Sequence, residues 1–125
     1  MIKYQVRLDT AWIQVVEIGL GGWCYVLFDR GHASPLGLVW GLPTAPGRFD
    51  VYHSYVMPWA RRQGVRKRIN EEIFKTFNVI ATGKGTKDGG AAFMKAQGYK
   101  YNKELKNWYL LKPTKRAAPA KDGGL

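Results

Sequence analysis

The chain has 125 residues, a length that suits one compact domain, and with 46% hydrophobic and 14% aromatic residues it can bury a real core and is not a disordered polymer. Its net charge of +11 implies attraction to polyanions such as nucleic acid, acidic proteins or phosphorylated cofactors. The single cysteine, Cys24, excludes an internal disulfide and a cysteine-rich metal site; no metal is expected, no apolar run is long enough for a membrane span, and no apolar stretch follows the first basic residues as in a signal peptide, so a cytoplasmic protein is expected.

The first half reads as β. Ile2 to Leu8 alternates apolar and polar residues, the period-2 pattern of a half-buried strand. Trp12 to Ile18 is a second β-rich run, open also to a short helix, and Gly19, Gly21 and Gly22 break it. Trp23 to Phe28 is a third strand, with Cys24 expected as a buried, inert thiol. A turn at Asp29-Arg30-Gly31 follows, and His32 beside it is expected at the surface. Leu36 to Leu42 is a fourth strand bounded by Pro35 and Pro43, with a loop at Thr44–Gly47. Phe49 to Val56 is a fifth, long and aromatic.

The pattern then changes. Val65, Ile69, Ile73 and Phe74 recur at helical spacing between Gly64 and Phe77, with charges on the other face. Phe77 to Ala81 returns to strand. Thr86 or Asp88 could cap a short helix that runs to about Gln97 and ends at Gly98. Tyr99 to Leu111 reads as one strand or as two, the second case a hairpin turning near Asn102-Lys103. Residues 1–112 are expected to form a single domain, and 113–125, made of Pro, Ala, Lys and Gly with few others, a disordered basic tail. The expected class is α/β, a mixed (α+β) sheet with two crossover helices.

The most informative segment is Val56 to Arg66, where an extended aromatic strand feeds a basic turn that opens a helix. Such a turn aims backbone N–H groups and the positive end of a helix dipole at one point, which favours phosphate. Trp59 lies in the turn and is expected to be partly exposed. The remaining tryptophans, Trp12, Trp23, Trp40 and Trp108, are expected mostly in the core.

Val56, Pro58, Arg61, Gly64 and Val65 fall in register with the signature Val-x-Pro-x-x-Arg-x-x-Gly-x-Gly/Ala, and Phe93 to Tyr99 is similar to a second element in which a helix ends before Gly-aromatic. On these residues and on element order, the segment from Phe49 to Leu110 resembles the GCN5-related N-acetyltransferase (GNAT) family. The resemblance implies a mostly antiparallel, splayed sheet whose usual N-terminal helices are here reduced. It implies binding of acetyl-coenzyme A along the strand before the turn. Tyr55, Val56 and Met57 would then meet the pantetheine amides, and Arg61, Arg62, Gln63, Gly64, Val65 and Arg66 the pyrophosphate. It implies a base near the positions of Tyr52 and His53, with Asp50 two residues further back; His53 is the residue type that titrates closest to neutrality. Two positions depart from the family. Arg66 stands where a Gly or Ala is usual, and Met94 where a proton-donating Tyr is common. Tyr99 and Tyr101 lie near that place at the wrong spacing and are expected in packing roles.

Three functions compete on these residues. The first is an acetyl-coenzyme A-dependent N-acetyltransferase for a macromolecular or amine acceptor, which makes a protein partner or acceptor expected. The second is a catalytically degenerate binding protein on the same fold, of the kind phages encode to modulate a host protein. The third is a nucleic-acid binder or modifier using Arg61, Arg62, Arg66, Lys67 and Arg68, although no recognition motif interleaves aromatics with that charge.

Overall fold

The alternation in the N-terminal half is realised, in a computed structural model that describes residues 1–31, 34–83 and 90–113, as five antiparallel strands. These are β1 (Ile2–Arg7), β2 (Ala11–Ile18), β3 (Gly22–Asp29), β4 (Pro35–Ala45) and β5 (Arg48–Val56), each paired with the next. The Trp12–Ile18 run is strand and not helix: Ala11, Ile13 and Val15 are buried on one face, while Trp12, Gln14 and Val16 are half-buried on the other. A 3-10 turn at Pro58–Ala60 leads to α1 (Val65–Ile73), then β6 (Val79–Thr82), α2 (Gly90–Ala96), β7 (Lys100–Asn102) and β8 (Asn107–Leu111). All eight strands form one sheet in the order β1-β2-β3-β4-β5-β6-β8-β7, with only β5 and β6 parallel. His32, the cap expected at Thr86 or Asp88, and the tail from residue 114 lie outside the described residues.

Both helices stand on one face of the sheet. Val65, Ile69 and Ile73 of α1 join Ile13, Tyr25, Val39 and Phe49 in the core, with Met94 of α2 and Tyr99 beyond it. The Phe77 ring packs 5.4 Å from Trp23 and 5.1 Å from Phe49. Beneath α1 the Tyr4 hydroxyl donates to Glu72 at 3.0 Å, and Lys75 pairs with the same buried carboxylate at 3.0 Å. Burial first, then the hydrogen bond to Glu72, pushes the Tyr4 hydroxyl well up from its ordinary range. The opposite face carries no helix among the described residues. The Trp12 and Phe28 rings stack there at 4.2 Å, so Trp12 lies on the open side and not in the core. Cys24 is half-buried, and burial pushes its thiol up, away from the reactive thiolate. Among the described residues no helix is long and apolar enough to cross a membrane.

Pro43 does not end the fourth strand, which runs on to Ala45. The β3 pairing stops at Trp23–Gly41, so residues beyond 41 have only β5 beside them, and the missing proline N–H costs no ladder bond on the vacant side.

The decisive irregularity lies between β4 and β5. Gly41 pairs with Val51 and Trp40 with His53, so Tyr52 is an extra residue, a β-bulge. The bulge changes the alternation of β5. Phe49 and Val51 face the helices before it, and Ser54 does so after it, while Tyr52 and His53 both stand exposed in succession. Gly41 is the counterpart that permits this. A Cβ there would lie 2.0 Å from the Asp50 carbonyl oxygen and 2.9 Å from the Val51 Cα, both backbone atoms that cannot swing aside. Gly41→Ala is therefore expected to cost about 3 kcal/mol or more, read as a lower midpoint in urea unfolding; a loss below about 1 kcal/mol would mean that the bulge is not packed against this residue.

Candidate functional site

β5 and β6 pair only over Arg48–Val51 against Val79–Thr82. From Tyr52 to Val56 that edge of β5 has no strand beside it among the described residues, and the two strands part. The twist added by the bulge carries the end of β5 away from its neighbour. At the end of the unpaired stretch the chain turns through Pro58–Ala60 into α1. Arg62 has φ 65° and Gly64 φ 76°, left-handed conformations that reverse the backbone before the helix. Gly64 takes that conformation without strain, and a Cβ there would meet nothing within 4 Å. No backbone oxygen of the described residues accepts from the N–H groups of residues 62–67. Those donors and the helix dipole form a concavity suited to an anion.

The cations of the turn are not equivalent. Arg62 is exposed. The Arg61 Nε donates to the Val56 carbonyl at 3.0 Å, and its guanidinium lies 5.7 Å from the centre of the Tyr55 ring, so this side chain folds back over the open edge. Gln63 reaches back to the Trp59 carbonyl at 3.1 Å, while Trp59 itself is 62% exposed. Arg66 points inward and is only 4% exposed. Its Nε donates to Asn70 Oδ1 at 3.1 Å, and its two terminal nitrogens to Ser54 Oγ and the Tyr99 hydroxyl, each at 2.9 Å. Asn70 also donates to the Tyr99 hydroxyl at 3.3 Å. Among the described residues no carboxylate pairs with this guanidinium.

A cavity of about 560 Å³ lies between the end of β5, the turn and α2. Tyr55, Val56, Arg61, Arg62, Gly64 and Val65 line it from one side. Ser54 and Arg66 reach it from the sheet and α1, and Phe93 and Met94 of α2 close it together with Gln97 just beyond that helix. Most of the residues expected to meet a cofactor are thus brought together, while Gln63 turns to Trp59 and the half-buried Met57 donates its N–H to Leu36 at 2.9 Å, tying the strand end to β4.

The three residues expected near a base are separated by the bulge. Tyr52 and His53 are exposed on the bare face, the Tyr52 ring 5.5 Å from Trp40. Asp50 is held by Arg48, whose Nη2 donates at 3.0 Å, and by the Thr44 hydroxyl, so its carboxylate pins the β4–β5 hairpin. Tyr99 is buried, and Tyr101 is partly exposed against Trp108 at 5.1 Å. Sequence reasoning missed Ser54 and Asn70. A signal for Asn70 was present, because it sits four residues after Arg66 among Val65, Ile69 and Ile73, on a side of the helix that has to be buried.

No family model and no curated protein matches the chain. Solved structures do. The chain is similar to a GNAT-family protein of Desulfovibrio desulfuricans, with a TM-score of 0.55 and 13% identity over 73% of this chain and 69% of that one. It is similar to Ard1 of Thermoplasma volcanium, with a TM-score of 0.52 and 17% identity over 73% and 71%. It is also similar to a variant of the SpeG spermidine N-acetyltransferase of Vibrio cholerae, with a TM-score of 0.53 and 14% identity over 74% and 66%. The chain has the GNAT fold: the mixed, mostly antiparallel sheet and the two helices agree, and three residues, Leu8-Asp9-Thr10, join the first two strands with no helix between them.

The Arg66 cluster has a measurable weight. Tyr99→Phe removes the hydroxyl that accepts from both Arg66 and Asn70. It is expected to cost about 1–3 kcal/mol in chemical unfolding, and an unchanged midpoint would show that the guanidinium finds its partners elsewhere.

Proposed function

We propose that the chain is an acyltransferase that carries an acetyl group from acetyl-coenzyme A to an amine on a macromolecular acceptor. The observation that carries this reading is a stretch of β5 without a neighbouring strand among the described residues, running directly into a turn whose N–H groups, from residue 62 to 67, have no backbone acceptor among those residues. An extended, amide-bearing arm ending in a diphosphate matches both halves of that surface. The fit is one of donor chemistry: the open edge of β5 around Val56 would take the amides, since the Met57 N–H is already given to Leu36, and residues 62–65 would take the diphosphate oxygens, with Arg62 adding charge. When bound, the coenzyme supplies an acyl group activated as a thioester.

The chain's own groups would do the rest. Backbone N–H groups on the open edge of β5 would hold the carbonyl oxygen as charge develops on it. His53 or Tyr52, exposed beside that edge, would take the proton of the incoming amine directly or through water. Asp50 would act on the hairpin, not on the proton. Met94 lines the cavity but cannot donate a proton, so water would protonate the departing thiolate. The acceptor would approach the bare face, where among the described residues no helix stands in the way, and an uncovered approach suits a macromolecule better than an enclosed metabolite.

Met94 and the inward Arg66 favour one other reading, a protein that binds the coenzyme without turnover. Binding and thiol release separate the two. Acetyl-coenzyme A at about a hundredfold over its Kd is expected to raise the melting temperature by about 10 °C or more, and free thiol is expected with peptide or polyamine acceptors. Binding without thiol release would leave the second reading, and no shift would remove both. A steep, salt-dependent shift with duplex DNA in place of the coenzyme would instead point to nucleic acid.

Gly64→Asp puts a carboxylate into the anion concavity; nothing blocks its Cβ, but φ 76° strains it by about 1 kcal/mol, least for Asp and Asn among side chains, so it is expected to fold with slightly lower stability and to lose coenzyme binding. Retained affinity would move the diphosphate elsewhere. His53→Ala is expected to lower turnover by about 10²-fold or more if the imidazole is the base, with Tyr52→Phe as its counterpart; unchanged rates in both would assign the proton to solvent.

A further inference from the structure

A buried guanidinium usually has a carboxylate partner, because an unpaired charge in a poorly solvated place is costly. Arg66 is only 4% exposed, faces the cavity and, among the described residues, is held only by the neutral groups of Asn70, Ser54 and Tyr99. These contacts use three of its five N–H groups, one on each nitrogen, so each terminal nitrogen keeps one N–H uncommitted. Among the described residues the arrangement is a fixed cation with no carboxylate partner and two donors left, the complement of a planar oxyanion.

Its position says which oxyanion. The diphosphate of the proposed donor already has the free N–H groups of residues 62–65 and Arg62 at the turn. The Arg66 side chain carries its charge back from the turn to Ser54, two residues before the end of β5 and next to the bulge that bears His53 and Tyr52. At about 3.3 Å per strand residue, that is on the order of 7 Å from Val56 toward the reacting end. We infer that Arg66 is an acyl-selecting residue, and that the site which takes the acetyl donor also takes, in preference to an uncharged acyl chain of the same length, one ending in a free carboxylate, a dicarboxylic acid monothioester, with that carboxylate on Arg66. This rests on the proposed coenzyme site. Transfer would break the donor's C–S bond and form an amide C–N bond. The amine proton would pass to the base on β5, the coenzyme would leave as thiolate, and the distal carboxylate would be unchanged.

The test compares succinyl-coenzyme A with butyryl-coenzyme A, which have the same chain length with and without the charge, by titration calorimetry on the full chain. The parent is expected to bind the succinyl donor at least about tenfold more tightly. In Arg66→Met the preference is expected to vanish while affinity for free coenzyme A is kept. Equal binding of the two donors by the parent overturns the inference and leaves the coenzyme site standing. An equal loss for succinyl-, butyryl- and free coenzyme A in Arg66→Met also overturns it, because Arg66 would then serve the diphosphate. If none of the three binds the parent, the proposed function itself fails. The comparison on the parent protein decides the matter even if Arg66→Met does not fold.

Discussion

One extra residue in a strand organises this molecule. With Tyr52 inserted opposite the Trp40–Gly41 step, β5 is held on both sides up to Val51 and on one side after it. A regular antiparallel ladder would have carried β5 straight on beside β6 and left no cleft. A bulge adds twist, and four residues of β6 cannot follow the twisted end. Gly41 makes the bulge affordable, since any side chain there would stand in the backbone of β5. The open edge, the exposure of Tyr52 and His53 on one face, and the return of Ser54 to the other all derive from this one insertion.

The distribution of charge has a similar economy. Of the basic residues around the turn, Arg62, Lys67 and Arg68 are exposed and can act on a ligand or partner mainly through a screened field. Arg61 is exposed too, but it is bonded to the Val56 carbonyl and leans on Tyr55, which restrains the open end of the strand. Arg66 alone is buried. In a less polar setting its charge acts more strongly on anything that enters the cavity, and its three neutral hydrogen bonds fix where the charge sits. The net charge of +11 therefore hides three jobs: a diffuse field, a tether and a placed cation.

Much of this was legible before the structure. The alternation of Ile2 to Leu8 and the β-rich runs after it marked five strands, and the helical spacing of Val65, Ile69 and Ile73 marked α1, whose pattern of burial is also the pattern of its residues. Gly98, with φ 90°, ends α2 where expected, and the last hairpin turns after Asn102, whose side chain accepts from Leu105 N–H at 3.0 Å. What stayed hidden depends on neighbours. Pro43 reads as a strand breaker, and only the length of β3 shows that its missing N–H faces no partner. The bulge left no local mark, since Tyr52 and His53 suit an ordinary strand, and the mark lay across the sheet in Gly41. By its place in the turn Arg66 is expected on the pyrophosphate, where a Gly or Ala is usual, and only the facing Ser54, Asn70 and Tyr99 turn it inward.

Under the proposed transfer, the bare face of the sheet bears on what an acceptor would have to be. The short β1–β2 connection leaves the side bearing Trp12, Phe28, Trp40 and Tyr52 without a helix among the described residues. Tyr52 at 59% exposure and His53 beside it stand on that side, while both helices, the cavity and Arg66 lie toward the other. A donor entering from the helix side and an acceptor arriving from the bare side would meet at the open edge of β5, separated elsewhere by the sheet itself. Under that geometry the acceptor needs no enclosed pocket. Its recognition would rest on half-exposed aromatic rings, which offer large contact area at little entropic cost. It would rest also on the surrounding positive field, which draws an acidic surface to the sheet before any specific contact forms.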